Sequence, residues 1–334
     1  MNLDVTHGIN GIGGQATMSE QIGVTPPLKW VGGKRWVADR VRALLPPQIS
    51  GEYYEPFFGG GAIFFSMRPE QLPMFAEPGR QYVRESRARV ADLSPGLVEF
   101  YEVLRDRVEP LIRDLHDLRD EYRGYYTSEK RERYYTAVRY VFNDNRDRVN
   151  RTTHEVVRQA ARFLFLNKTG YNGLMRYNRR GELNTPHGAY KNPSIFEPSE
   201  LRKASVALRG VDVQALDFEE CVKGAGPGDA VYLDPPHAPR TEKRSATFTA
   251  YTGRAWSEDD DRRVTRVFWD LARRGARVVM SQADTPRARE LLREEGGDLW
   301  EGVHLESVMR PERVSSKGSG RAAVGEILVA AGPR

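Results

Sequence analysis

Apolar positions recur every three or four residues in some stretches and bunch into short runs in others. Val37, Val41, Leu44 and Leu45 share one face, which predicts a helix from Arg35 that Pro46-Pro47 ends. Tyr53-Tyr54-Glu55-Pro56-Phe57-Phe58-Gly59-Gly60-Gly61-Ala62-Ile63-Phe64-Phe65 reads as a short strand, a glycine turn and the first turn of an apolar helix. A second strand is predicted around Val90, ending at Asp92. From about Pro95 to Leu166 the spacing is helical. Strands return after Val211: Val211 to Leu216, Asp229 to Asp234 (stopped by Pro235-Pro236), Arg277 to Ser281, and Glu326 to Ala330. Ser257 is an N-cap for a helix that buries Val264, Val267, Phe268 and Leu271. Thr285-Pro286 opens another, with proline at its first position. Strand–helix alternation on both sides of a helical stretch predicts an α/β sheet domain interrupted by a lobe. The expected division is a flexible tail over 1–23, a sheet domain from 24–96 and 206–334, and an insert over 97–205.

Composition narrows this picture. The chain has 334 residues, 39% of them hydrophobic, enough for a real core. A net charge of +5 permits a polyanionic partner without requiring one. A single cysteine, Cys221, excludes a disulfide framework and any multi-cysteine metal site. No apolar run is long enough to span a membrane, and Met1 to Gly23 has no secretory pattern, so the expected compartment is the cytoplasm. Charge is uneven. Arg105 to Arg162 carries fourteen basic against eleven acidic residues, as solvated helix faces do. Asn167 to Asn192 carries Lys168, Arg176, Arg179, Arg180 and Lys191 against one acid, Glu182, interleaved with Tyr171, Tyr177 and Tyr190. That stretch reads as an exposed, positively charged hairpin or loop.

In an open α/β sheet, ligands lie beyond the carboxyl ends of the strands. Four such ends carry polar or turn chemistry. Glu55-Pro56-Phe57-Phe58-Gly59-Gly60-Gly61 suits close approach of a nucleotide-like cofactor, or is a plain tight turn; its spacing is not that of a pyrophosphate loop. Asp92 can accept from both ribose hydroxyls, or cap the helix that begins at Ser94-Pro95. Asp217-Phe218 can face an adenine ring, or form a capped turn. Asp234-Pro235-Pro236-His237 is the most specific. Two prolines freeze the backbone and free its carbonyls. A fixed carboxylate and a fixed carbonyl can then hold both hydrogens of an exocyclic amine and aim its lone pair at an incoming methyl group, while His237 stacks on the base. Ahead of the first strand, Trp30 offers a flat face to a sulfonium or purine and Lys34 an ammonium to a carboxylate.

In this order, the pieces resemble the Dam-like family of S-adenosylmethionine-dependent DNA adenine methyltransferases. The resemblance runs from about Pro27 to Ala330. It rests on Lys29-Trp30-x-Gly32-Gly33-Lys34; Glu55-Pro56-Phe57-x-Gly59-x-Gly61; Ala91-Asp92; Asn167-Lys168-Thr169-Gly170-Tyr171-Asn172-Gly173-Leu174-x-Arg176; Gly181-Glu182-Leu183-Asn184-Thr185-Pro186; Gly188-x-Tyr190-Lys191-Asn192-Pro193; and Asp234-Pro235-Pro236. The run 246–251 and Asp284-Thr285 also match. The resemblance implies a Rossmann-like methyltransferase sheet with helices on both faces and an inserted, mainly helical target-recognition lobe. It implies S-adenosylmethionine contacts from Trp30, Lys34, Glu55, Phe57, Gly59, Gly61, Asp92, Asp217, Phe218 and Asp234. It implies catalysis by Asp234, Pro235, Pro236 and His237, and DNA contacts from Lys29, Tyr171, Asn172, Leu174, Arg176, Pro186 and Tyr190. Arg is the commonest bidentate reader of guanine, and a tyrosine can fill the gap left by a flipped nucleotide. Lys191, Arg179 and Arg180 are placed on phosphates.

The expected activity is methylation of the adenine amino group in duplex DNA, at a GATC-like site, by a monomer. No metal is needed, because a sulfonium is already a strong methyl donor. One position departs from the family: its catalytic motif usually ends in an aromatic such as Tyr, and here it ends in His237. Base–aromatic stacking is worth about 1–3 kcal/mol, so a smaller ring puts turnover at stake more than binding. The sequence leaves open a DNA-binding protein of the same fold with weak turnover, a nicotinamide-dependent oxidoreductase, and an RNA adenine methyltransferase.

Overall fold

A computed structural model describes residues 24–67, 71–72, 88–236, 256–309 and 325–333. The expectations for the tail over 1–23, for His237 and for 246–251 lie outside the described residues. The elements are α1 (Ala38–Leu44), β1 (Tyr53–Glu55), β2 (Ala88–Ala91), α2 (Pro95–Asp106), α3 (Val108–Gly124), α4 (Ser128–Asp144), α5 (Thr153–Thr169), α6 (Pro198–Ala207), β3 (Asp212–Gln214), α7 (Phe218–Cys221), β4 (Ala230–Leu233), α8 (Glu258–Arg273), β5 (Arg277–Ala283), α9 (Pro286–Gly296), β6 (His304–Met309) and β7 (Gly325–Ala331).

Among the described residues, seven strands form one sheet in the order β3-β2-β1-β4-β5-β7-β6. The first five in that order pair in parallel, while β7 runs antiparallel to both β5 and β6. Strand residues alternate between two cores, as a side-chain period of two requires. Tyr53, Val90, Tyr232, Val279 and Leu328 join the cluster that holds α1 to α6. Tyr54, Val231, Leu233, Val278, Met280 and Ile327 join the cluster that holds α7, α8 and α9. Both faces of the sheet are therefore covered, which is why β4 and β5 read as nearly continuous apolar runs. The buried Cys221 sits in the second cluster.

The predicted strands all appear, and so do the helix starts at Ser257 and Thr285. Ser257 and Asp260 make a capping box, and the Thr285 hydroxyl accepts from Ala288 N–H. Three details differ. The first helix begins at Ala38 rather than Arg35, because Lys34 and Val37 first close a tight turn through Val37 N–H to Lys34 O. After the glycine turn, the apolar run makes a single 3-10 turn, Phe64–Ser66, because Phe64 N–H is donated to the Glu55 carboxylate and Met67 is already extended. Strand β6 had no apolar signature: it is an edge strand with one buried side chain, Val308.

The helices between β2 and β3 are continuous with the sheet. The Tyr101 ring of α2 packs at 4.7 Å on Phe58, and its hydroxyl donates to Gly59 O at 3.1 Å. Among the described residues, no helix is long and apolar enough to cross a membrane.

Candidate active site

The parallel strands present their carboxyl ends along one edge, and the reversed β7 brings its first residues to that same edge. Glu55 closes β1, Asp92 follows β2, Asp217 follows β3, Asp234 follows β4, and Glu326 opens β7 opposite Ala283. The polar strand ends picked out in the sequence therefore share one rim.

At the centre is a buried ammonium between two carboxylates. Lys34 Nζ lies 2.9 Å from Asp234 Oδ1 and 3.3 Å from Glu326 Oε2. Burial alone would lower the Lys34 pKa, but Asp234 first and Glu326 second more than offset it, so the ammonium is held protonated. Burial pushes the Asp234 carboxyl up to about 6; Lys34 pulls it down and Glu326 adds to the rise. Asp234 nevertheless keeps 21% of its side chain open to solvent, so a ligand can reach it. Beside it, Glu55 is fully enclosed. It accepts from Tyr53 Oη at 2.7 Å and from Phe64 N–H at 3.1 Å. Burial pushes Glu55 up to about 8, opposed by the Tyr53 hydroxyl and helped by the charge of Asp234. Burial thus favours the neutral form of Glu55 more than that of Asp234, whose charge Lys34 supports.

Next to this centre, Trp30 lies against the glycine turn. A Cβ on Gly59 would sit 2.5 Å from Trp30 Nε1, and one on Gly60 2.8 Å from Trp30 Cβ. Gly59 and Gly61 have φ of +48° and +67°, which glycine adopts without strain. Of the two roles the sequence offered for Asp92, the structure shows the one at the helix start: it accepts from Ser94 N–H at 2.9 Å, and it also accepts from Gly59 N–H at 3.0 Å in the turn. Burial pushes its carboxyl up to about 6 against those two bonds. The half-exposed Phe57 ring stacks on Phe218 at 5.2 Å and meets Trp256 edge-on at 5.8 Å. Asp217 caps α7 through Glu219 N–H and is also gripped by Arg263, whose guanidinium lies 4.4 Å over the Phe218 ring. A bare glycine turn, a carboxylate at its foot, an aromatic wall and a buried ammonium form a donor set that fits an adenosine carrying an amino-acid tail.

The basic segment starts where α5 ends. Asn167, fully buried, joins it to the opening motif: its Oδ1 accepts from Lys29 N–H at 2.9 Å, and its Nδ2 donates to Lys29 O at 2.8 Å and Gly173 O at 2.9 Å. Lys29 Nζ sits 4.6 Å over the Tyr190 ring, and Tyr190 Oη accepts from Asn172 N–H at 2.8 Å. Lys29, Asn172 and Tyr190 are thus one cluster. Tyr171 is 52% exposed, and its N–H is donated to Pro186 O at 2.9 Å. Leu174 is half-buried, and Lys191, Arg179 and Arg180 are exposed. The predicted hairpin is irregular, held by two isolated bridges, Gly170 to His187 and Tyr177 to Leu183. Arg176 is directed by Asn184: its Nε donates to Asn184 Oδ1 at 2.7 Å and its Nη2 to Asn184 O at 3.2 Å. Thr185 ties the two sides, accepting from Arg176 N–H at 3.1 Å and donating to Leu174 O at 2.8 Å. Burial, with Lys29 and Arg35 nearby, pushes Lys168 down to about 8. Among the described residues, no group of three or more His, Cys, Asp or Glu is placed to hold a metal ion.

Comparison with known proteins decides the family. The family model for D12 class N6 adenine-specific DNA methyltransferases matches residues 30–311. The chain belongs to this family. It is 33% identical over 302 residues to the Type II methyltransferase M.MjaIII of Methanocaldococcus jannaschii, covering 89% of this chain and 95% of that protein. It is 30% identical over 302 residues to the DNA adenine methylase of Vibrio cholerae, covering 90% and 94%. It is 29% identical over 302 residues to the DNA adenine methylase of Escherichia coli K12, covering 90% and 93%. The seven-stranded sheet with helices on both faces accords with the Rossmann-like methyltransferase fold, and the chain is an adenine-specific DNA methyltransferase. This removes the oxidoreductase and RNA readings.

Some residues of this methyltransferase's rim were not singled out in the sequence. Trp256 stands just ahead of the α8 capping box, and its Nε1 donates to Asp261 at 2.7 Å. Arg263 had only helical spacing to mark it. The signal at Glu326 is one acid opening an otherwise apolar strand.

Proposed function

We propose that the enzyme takes the methyl group from S-adenosylmethionine and transfers it to the amino group of an adenine turned out of duplex DNA, at a GATC-like site. The observation that carries this is Asp234, partly open just past the end of β4, followed by Pro235-Pro236 and backed by the Lys34 ammonium. When bound, S-adenosylmethionine supplies an electrophilic methyl group on a sulfonium. Asp92 would hold its ribose, and Lys34, already bridging Asp234 and Glu326, would stand beside its amino-acid tail. Trp30 and the glycine turn would line it, and Phe57, Phe218 and Trp256 would wall its adenine. With Asp217 already held by Arg263, the wall acts chiefly by packing. Asp234 accepts one hydrogen of the target amine. A main-chain carbonyl fixed by the prolines accepts the other, and the nitrogen lone pair turns toward the methyl donor. Asp234 is an acceptor and orienter, and the excess proton leaves to solvent. Ionised above about 6, it sets an acid limit below which transfer fails.

The segment over 97–205 is the DNA reader. Arg176, aimed by Asn184, reads a guanine edge. Tyr171, Leu174 and Pro186 meet the bases next to the extruded adenine. Lys191, Arg179 and Arg180 meet phosphates. The enzyme works in the cytoplasm, where its DNA substrate is. Sequencing of modified bases in DNA incubated with the enzyme tests the site: methyladenine within GATC is expected, and methyladenine confined to another motif overturns that specificity. A second reading, binding with little turnover, rests on His237 alone. Normal binding of cofactor and DNA without product, with activity gained in His237→Tyr, favours it.

A further inference from the structure

Glu326 has no part in the reaction described so far, yet it stands in its centre. It opens β7, and the antiparallel course of that strand is what brings it to the ligand rim, paired with Ala283 of β5 and Val308 of β6. Every residue after it, Ile327 to Ala331, is buried and apolar. Glu326 is itself 7% exposed, and among the described residues its Oε2 meets only Lys34 Nζ, at 3.3 Å. Lys34 already has a counter-charge in Asp234 at 2.9 Å. A second buried carboxylate is costly and is not needed to neutralise one ammonium. Its effect is on Asp234. With one cation between two carboxylates, the group keeps a net negative charge; with Asp234 alone, the pair is neutral.

We propose that Glu326 is a positioning residue for methyl transfer: by sharing the Lys34 ammonium, it leaves the Lys34–Asp234–Glu326 group with a net negative charge and so preserves the acceptor strength that the adenine amine needs. The inference rests on the role given to Asp234 above. Among the described residues, the charged and titratable groups around Asp234 are Lys34, Glu326, Glu55 and the Tyr232 hydroxyl. Burial raises the Glu55 carboxyl and so disfavours its charge, and Glu326, 3.3 Å from Lys34 Nζ, is the second carboxylate on the ammonium.

The test compares the full-length wild type with Glu326→Gln and Glu326→Asp. It reads kcat at saturating duplex DNA from pH 5 to 8.5 and S-adenosylmethionine affinity by calorimetry. Glu326→Gln should lower kcat about tenfold with cofactor affinity unweakened, and should move the acid limb of the profile to lower pH, because the group that raises Asp234 is gone. Glu326→Asp, which keeps the charge, should fall between. Wild-type kcat and an unmoved limb in Glu326→Gln overturn the proposal. So does a loss of kcat accompanied by an equal loss of cofactor affinity and thermal stability with the limb unmoved, the pattern of a purely structural residue. If the glutamine variant does not fold, Glu326→Asp decides, since its shorter reach loosens Lys34; an unmoved limb there also overturns the proposal. A wild type that makes no methyladenine overturns the role of Asp234 instead.

Discussion

Replacing Glu55 by Gln should make the protein less stable at pH 5 and more stable at pH 8.5. Glu55 is enclosed at the end of β1 and titrates at about 8 against an ordinary 4.5, chiefly because burial disfavours its charge. A carboxyl raised on folding leaves the fold its full stability below the unfolded pKa and removes it as pH climbs to the folded one. The loss is about 1.4 kcal/mol per pH unit across that window, roughly 5 kcal/mol in all. Glutamine does not titrate, and its carbonyl can still accept from the Tyr53 hydroxyl and Phe64 N–H. Its amide hydrogens gain no evident partner, at a cost of about 1–3 kcal/mol at every pH. The two stability curves should therefore cross inside the window. Asp92 and Asp234 are also raised, each to about 6, but they are common to both proteins and cancel in the difference. Urea unfolding of each protein at several pH values from 5 to 8.5 reads this directly. Parallel curves over that range would refute the reasoning, because they would mean that Glu55 is not a buried neutral acid.

Three further outcomes are expected. Asp234→Asn should slow methyl transfer about 100- to 1000-fold, the usual loss when one pre-organised polar group is removed from a reacting centre, measured as methyladenine formed per turnover time. Gly59→Ala should raise the dissociation constant for S-adenosylmethionine and lower stability: its Cβ would lie 2.5 Å from Trp30 Nε1 at a φ of +48°, and left-handed backbone costs a non-glycine residue about 1–2 kcal/mol; unchanged calorimetric binding would count against the Trp30 wall. Arg176→Ala should relax discrimination at a guanine by about 1–3 kcal/mol, whereas Lys191→Ala should weaken binding to all sequences alike and reduce the salt slope by about 1, both read by competition between cognate and altered duplexes.

The legible parts of this molecule are those whose physics is local. The Tyr53–Glu55 and Ala230–Leu233 strands show as apolar runs because both faces of the sheet are covered. The α8 and α9 starts show because their caps are side chains at fixed offsets. Asp234-Pro235-Pro236 stood out because a turn that only ends a strand has no use for that combination. What sequence could not display depends on residues far apart in the chain. Glu326 and Lys34 are brought together only by the reversal of β7. Arg263 reaches Asp217 across elements, so a carboxylate that looked free is taken. The edge strand β6 was hidden because it buries almost nothing. The two oxygens of Asp92 accept from Gly59 N–H and Ser94 N–H, and the first of these joins residues 33 positions apart that no local pattern displays together.

The central claim is that Asp234 and the prolines after it hold an extruded adenine amine for methylation. Its most direct measurement is nucleoside mass spectrometry of duplex DNA incubated with the enzyme and isotopically labelled S-adenosylmethionine. The account requires labelled N6-methyladenine from the wild type, its formation about 100- to 1000-fold slower in Asp234→Asn, and no labelled methylcytosine from either. Labelled N6-methyladenine at equal rates from wild type and Asp234→Asn would contradict it.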